Sequence, residues 1–177
     1  MPHRRRPQIA PRHPVHVTLR VRDEVWNLRS RRCFRALARA FAVGKERFGL
    51  RLIHFSVQGN HLHLIVEVVD AASLSRGMQG LAIRMAKRLN QVMQRTGPVF
   101  RERYHAHVLR SPTEVARAVA YVLGNYFHHA ARWGAVVAGN EVDPYSSAAA
   151  RVCSGSDPPL VVEPRTWLLR ASLRAAA

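Results

Sequence analysis

His61 and His63 stand one residue apart in the apolar run VQGNHLHLIV, residues 57–66. In an extended strand, side chains at i and i+2 project from the same face. Both imidazoles would then point together, with Leu62 and Leu64 pointing the other way. Imidazole nitrogens bind divalent transition metals, and two ligands from one strand leave positions open for phosphate oxygens. The following residues exclude two other chemistries built on such a pair. A hydrolase of the HxHxDH type needs Asp and His where Ile65 and Val66 stand, and a histidine-triad nucleotide hydrolase needs a third alternating histidine at 65. His105 and His107 form a second pair at the same spacing. In a chain with ten histidines one such pair arises readily by chance, so the second is a rival ligand set.

A metal-polarised phosphodiester still needs a nucleophile. No Ser-His-Asp or Cys-His pattern is present, but tyrosine can attack phosphorus and hold the ester covalently. Val115, Val119, Val122 and Tyr126 follow helical spacing on one face, which assigns Tyr126 to the core. Arg117, Tyr121, Asn125 and His128 follow the same rhythm on a polar face. Tyr121 is therefore the better nucleophile, and Asn125, one turn along, is near enough to reach the same metal through its amide oxygen. A phosphodiesterase using water would need the metal but not Tyr121.

The composition names the partner class. Lys and Arg number 28 against 11 Asp and Glu, a formal charge of +17 and a sequence pI of about 11.7. Such a chain suits a polyanion, and nucleic acid leads. The Pro- and Arg-rich start, residues 1–14, reads as a mobile arm whose Arg4, Arg5, Arg6 and Arg12 lie along phosphates. Cys33 and Cys153 form neither a zinc spacing nor a disulfide framework, and Cys33 suits a buried helix as a small apolar filler. No apolar region follows the basic start as in a secretory signal, and no stretch approaches the roughly 20 apolar residues of a membrane span. The expectation is a cytoplasmic, nucleoid-associated protein, monomer or homodimer, with no membrane partner.

The elements that must position these residues follow from patterning. VHVTLRV, 15–21, alternates as a strand. Residues 30–49 read as a helix, with Phe34, Leu37, Phe41 and Phe48 on one face and Gly49 as its stop. Strands at 50–58 and 61–69 are joined by a Gly59-Asn60 turn, an antiparallel hairpin. A helix over 73–95 has Leu74, Met78, Leu81, Met85, Leu89 and Val92 inward, and Arg84, Arg88, Gln91 and Arg95 along another face for phosphate contact. YHAHVLR, 104–110, is a fourth strand that brings His105 and His107 near the DNA-binding face. Arg101, Arg103 and Arg117 add phosphate contacts, with Phe100 and Tyr104 as stacking surfaces for bases. Ser111, Pro112 and Glu114 open the last long helix as a capping box. The order strand, helix, strand, strand, helix, strand is that of an α+β, ferredoxin-like (split βαβ) fold. It has an antiparallel sheet with helices on one face and an appended helix carrying the tyrosine. The domain spans 15–134, and 135–177 forms a loosely packed tail with a short docked helix near 164–172.

GNHLHLIVE, GPVFRERYHAHVL and AYVLGNY together resemble the REP-associated tyrosine transposases, within the wider group of HUH single-tyrosine nucleases and IS200-like transposases. The resemblance covers residues 13–134. It implies cleavage and joining of single-stranded or hairpin DNA, with His61, His63 and Asn125 holding Mg²⁺ or Mn²⁺ and Tyr121 forming a 5′-phosphotyrosine. A descendant that binds DNA without cutting it is the alternative from another class.

Overall fold

The computed structural model describes residues 9–132, 142–152 and 158–175. Arg4, Arg5, Arg6 and Cys153 lie outside them. Ten elements follow in order: β1 (Val15–Arg20), α1 (Arg31–Gly44), β2 (Glu46–Arg47), β3 (Leu50–Val57), β4 (His61–Val68), α2 (Ala71–Met93), β5 (His105–Val108), α3 (Pro112–Arg132), α4 (Ser147–Val152) and α5 (Trp167–Ala175). The strands form one antiparallel sheet in the order β2-β3-β4-β1-β5. Without the two-residue β2, this is the split βαβ order expected from the sequence.

Strand alternation divides the sheet into two faces. Val15, Val17 and Leu19 of β1 and Leu62, Leu64, Val66 and Val68 of β4 enter the main core with Leu37 and Phe41 of α1 and Met78, Leu81, Met85 and Leu89 of α2. The opposite face carries a smaller core, where Ile53 and Ile65 meet Val115, Ala118 and Val122 of α3 and Leu168 and Leu169 of α5. The tyrosine helix therefore sits across the sheet from α1 and α2. Cys33 is buried in α1 and free, as its place in an apolar stripe suggested.

Side-chain caps start the helices. Ser30 accepts the Cys33 N–H for α1, and Asp70 accepts the Ser73 N–H at 2.6 Å for α2. At α3, Ser111 Oγ accepts from Glu114 N while the Glu114 carboxylate accepts from Arg110 N and Ser111 N, so the capping box forms.

Three expectations need correction. The helix read over 30–49 ends at Gly44, because residues 46–47 pair with 50–51 as a short hairpin. Phe48 takes a left-handed φ of 56° at its turn and is exposed, so it shares no face with Phe41. The arm is not wholly mobile. Ile9 packs on the main core, and the Pro14 carbonyl accepts from Leu109 N. The region read as a loose tail also holds to the sheet. The buried Glu67 carboxylate accepts the N–H groups of Arg165 and Thr166 at 2.7–3.0 Å, capping α5, and Ser147 Oγ accepts from Phe55 N.

Candidate active site

The polar positions of three adjacent strands line the α3 side of the sheet. On β4 these are His61 and His63, on β1 His16 and Thr18, and on edge strand β5 His105 and His107. Thr18 is paired with both His63 and His105, and His16 with His107. The two histidine pairs of the sequence therefore share one face, two strands apart. His105 and His107 stand exposed at its edge, and burial, more than the nearby His107 and His105, pushes the His16 pKa down from 6.5 to about 4.

The rings of His61 and His63 lie 4.9 Å apart, nearly perpendicular. His61 Nδ1 is 2.8 Å from Asn60 Oδ1, an acceptor, so Nδ1 carries the proton and Nε2 the lone pair. His63 Nδ1 lies 3.2 Å from His16 Nε2 and 3.3 Å from Thr18 Oγ1. Tyr121 stands edge-on to this pair, its ring centroid 5.2 Å from that of His63 and 6.1 Å from that of His16. It is 43% exposed, so its phenol is open to a strand laid across the face.

Tyr121 and Asn125 are one helical turn apart, as the sequence indicated, but the helix face differs. Asn125 is only 1% exposed and continues the buried line of Val115, Ala118 and Val122. Its Nδ2 has no hydrogen-bond partner among the described residues. Tyr126 is not in the apolar core. It lies half-buried, with the Arg29 guanidinium 3.8 Å above its ring. Arg29 also stacks on Tyr145 at 4.4 Å, donates to Val57 O, and makes a bidentate pair with the fully buried Asp143 carboxylate at 2.8 and 3.0 Å.

No three His, Cys, Asp or Glu side chains gather closely enough to hold a metal ion among the described residues. Any ion on His61 and His63 would need a third ligand of another kind. The Asn125 amide oxygen is a suitable ligand type one helical turn from Tyr121, and the remaining positions suit phosphate oxygens.

The other basic residues divide between two faces. Arg117 is exposed on α3, and Arg12 is exposed near the N-terminus. Arg84 and Arg88 sit on α2, across the sheet from Tyr121. Arg88 shares a shallow groove with Arg32, Arg35 and Arg39 of α1, residues that the sequence reading passed over. Arg95 is tied down by Pro98 O and Glu24, and exposed Arg101 lies 3.9 Å from Asp23. Exposed Arg103 borders a cavity of about 500 Å³ between α2 and residues 100–106. Phe100 and Tyr104, read as exposed stacking surfaces, are half-buried against the main core and line that cavity.

The model of the IS200-like transposases matches residues 11–124. The chain belongs to that family. The match takes in His61, His63 and Tyr121 and stops one residue short of Asn125. Among solved structures, this IS200-like chain is similar to a REP-associated tyrosine transposase bound to a REP hairpin, at TM-score 0.64 and 18% identity over 93% of both chains. A transposase-like protein of Deinococcus radiodurans R1 follows at TM-score 0.47 and 14% identity, over 73% of this chain and 96% of that one. A bacterial tRNA(His) guanylyltransferase-like protein in complex with GTP gives TM-score 0.49 and 15% identity, over 79% and 74%. No curated protein matches by sequence. No helix of the described residues is long and apolar enough to cross a membrane.

Proposed function

We propose that this IS200-like transposase is a divalent-metal-dependent nuclease and strand transferase acting on single-stranded or hairpin DNA, with Tyr121 as nucleophile. The observation that carries the reading is the exposed Tyr121 ring standing against His63, on the face His63 shares with His61. His61, His63 and Asn125 would hold Mg²⁺ or Mn²⁺. When bound, the ion would withdraw charge from the scissile phosphate.

Tyr121 Oη attacks phosphorus and loses its proton to solvent or a DNA phosphate. The P–O3′ bond breaks, and the 3′ oxygen takes up a proton. The products are a 5′-phosphotyrosine and a free 3′ hydroxyl. A second 3′ hydroxyl can run the exchange backwards, restoring the phenol and joining strands, because one phosphodiester replaces another throughout. Exposed Arg117, His105 and His107 flank the site and suit the cleaved strand. The α1–α2 groove of Arg32, Arg35, Arg39 and Arg88 suits the phosphates of a paired stem. The similar REP-associated tyrosine transposase is bound to a REP hairpin, which supports hairpin DNA as the substrate class.

The test uses a single-stranded substrate labelled on the 3′ side, Mn²⁺, and a denaturing gel. Wild type and Tyr126→Phe should give a slow protein–DNA species, and Tyr121→Phe should bind DNA without forming it. An adduct from Tyr121→Phe refutes the assignment. DNA binding with no adduct from any variant, wild type included, would leave a DNA-binding protein without cleavage.

A further inference from the structure

A metal ligand must be held in one tautomer, and His63 has an unusual way of achieving this. For Nε2 of His63 to offer its lone pair, Nδ1 must carry the proton and donate it. The commonest acceptors for such a proton are a carboxylate, a backbone carbonyl or water. Here His16 Nε2, at 3.2 Å, and Thr18 Oγ1, at 3.3 Å, approach Nδ1 from the neighbouring strand. Pairing fixes the approach. Thr18 is directly opposite His63, and His16 is two residues along β1 on the same face. The His16 and His63 rings tilt by only 32° at 5.3 Å, and His16 also meets the edge of Tyr121. The alternating partners of β1 thus touch both the ligand and the tyrosine.

We infer that His16 is a positioning residue: it accepts the His63 Nδ1 proton, fixes the lone pair on Nε2, and sets the ring against which Tyr121 stands. Thr18 is the second acceptor for the same proton. The inference rests on the proposed metal reading, and its test separates the two.

The measurement is Mn²⁺ affinity of the full chain without DNA, from the electron paramagnetic resonance signal of the free ion. His16→Phe keeps a ring against Tyr121 and removes the acceptor. Loss of such a partner typically weakens metal binding by about 10–100-fold, and that loss is expected here. His16→Gln, whose amide oxygen can reach where Nε2 stood, should recover most of the affinity. Thr18→Val combined with His16→Phe should bind more weakly than either alone. Circular dichroism checks that each variant folds. If His63→Ala abolishes binding while His16→Phe matches wild type, the metal reading stands and this inference falls. Equal losses in His16→Phe and His16→Gln would make the role packing alone, which also overturns it. Wild-type binding that does not depend on His63 overturns the metal reading and this inference together.

Discussion

Replacing Arg29 with Met should be among the most damaging substitutions outside the metal and tyrosine positions. Arg29 is 14% exposed and its partner Asp143 is fully buried, joined by two hydrogen bonds. Without the guanidinium, that carboxylate keeps only the Tyr145 N–H among these side-chain-directed bonds. Breaking a buried pair from one side costs about 3–5 kcal/mol. The Tyr126 and Tyr145 rings also lose a stacked cation, worth about 0.5–2 kcal/mol at such sites. Part of the loss is recovered by Met packing between the rings, so a net loss of about 4 kcal/mol is expected. A domain of this size has about 5–15 kcal/mol in total. With a slope near 2 kcal/mol/M, the urea midpoint should fall by about 2 M. Urea unfolding followed by circular dichroism measures it, with Arg29→Met/Asp143→Asn as partner variant. Removing the stranded charge should recover a large part of the loss. A single-variant loss below about 1 kcal/mol, the range of an exposed pair, would refute the reasoning. A double variant no more stable than the single would do so as well. Because Tyr126 lies five residues past Tyr121 on α3, Arg29→Met should also slow adduct formation more than it weakens DNA binding.

Three shorter predictions rest on other contacts. The Glu114 carboxyl is held below its usual value chiefly by the Arg110 N–H, so its contribution is present above 4.5 and lost as pH falls through the lowered value. The stability gap between wild type and Glu114→Gln, from urea titrations across pH, should therefore be widest near neutrality and close on acidification; a gap that widens in acid contradicts this sign. Gly77→Ala should cost about 1–3 kcal/mol by overpacking, because the added methyl overlaps Leu50 Cβ where α2 meets β3, and an unchanged melting temperature would contradict that packing. Arg35→Ala/Arg39→Ala should lower the slope of log K against log salt for hairpin DNA by about 0.9 per lost phosphate contact while leaving short single strands less affected; equal slopes would place the stem elsewhere.

Most of the sheet was legible because its strands alternate cleanly. The β1 and β4 patterns decide by themselves which side chains face α1 and α2, and a capping box announces α3. That His61 and His63 share a face, and that Tyr121 stands at an exposed helix position, was legible for the same reason, spacing on one element each. What escaped depends on pairing between elements. His16 and Thr18 were read only as part of a strand, and nothing local says that β1 lies beside β4 in the register that sets them against His63. Arg29 was invisible for a similar reason, since its partners Tyr126, Asp143 and Tyr145 are about a hundred residues away. Helical periodicity misassigned Asn125 and Tyr126 because a stripe drawn at Val115, Val119, Val122 and Tyr126 is rotated from the line the sheet buries, through Val115, Ala118, Val122 and Asn125. The first helix was read too long because what ends it at Gly44 is the pairing of residues 46–47 with 50–51, which the apolar spacing through Phe48 does not reveal.

The register shift between Leu52 and His54 has a meaning for how such a chain tolerates change. Losing one residue from a strand normally exchanges its faces and destroys the core. In β3 the opposite holds. With Ile53 removed, Leu50, Leu52, Phe55 and Val57 would still alternate with Arg51, His54 and Ser56, as in an unbroken strand. The extra residue is therefore an inserted unit, and what it adds is one apolar side chain beneath α3. Deleting Ile53 alone would therefore remove that seat without turning over the side chains that face α1 and α2. The tyrosine helix can thus be reseated independently of the scaffold that carries it.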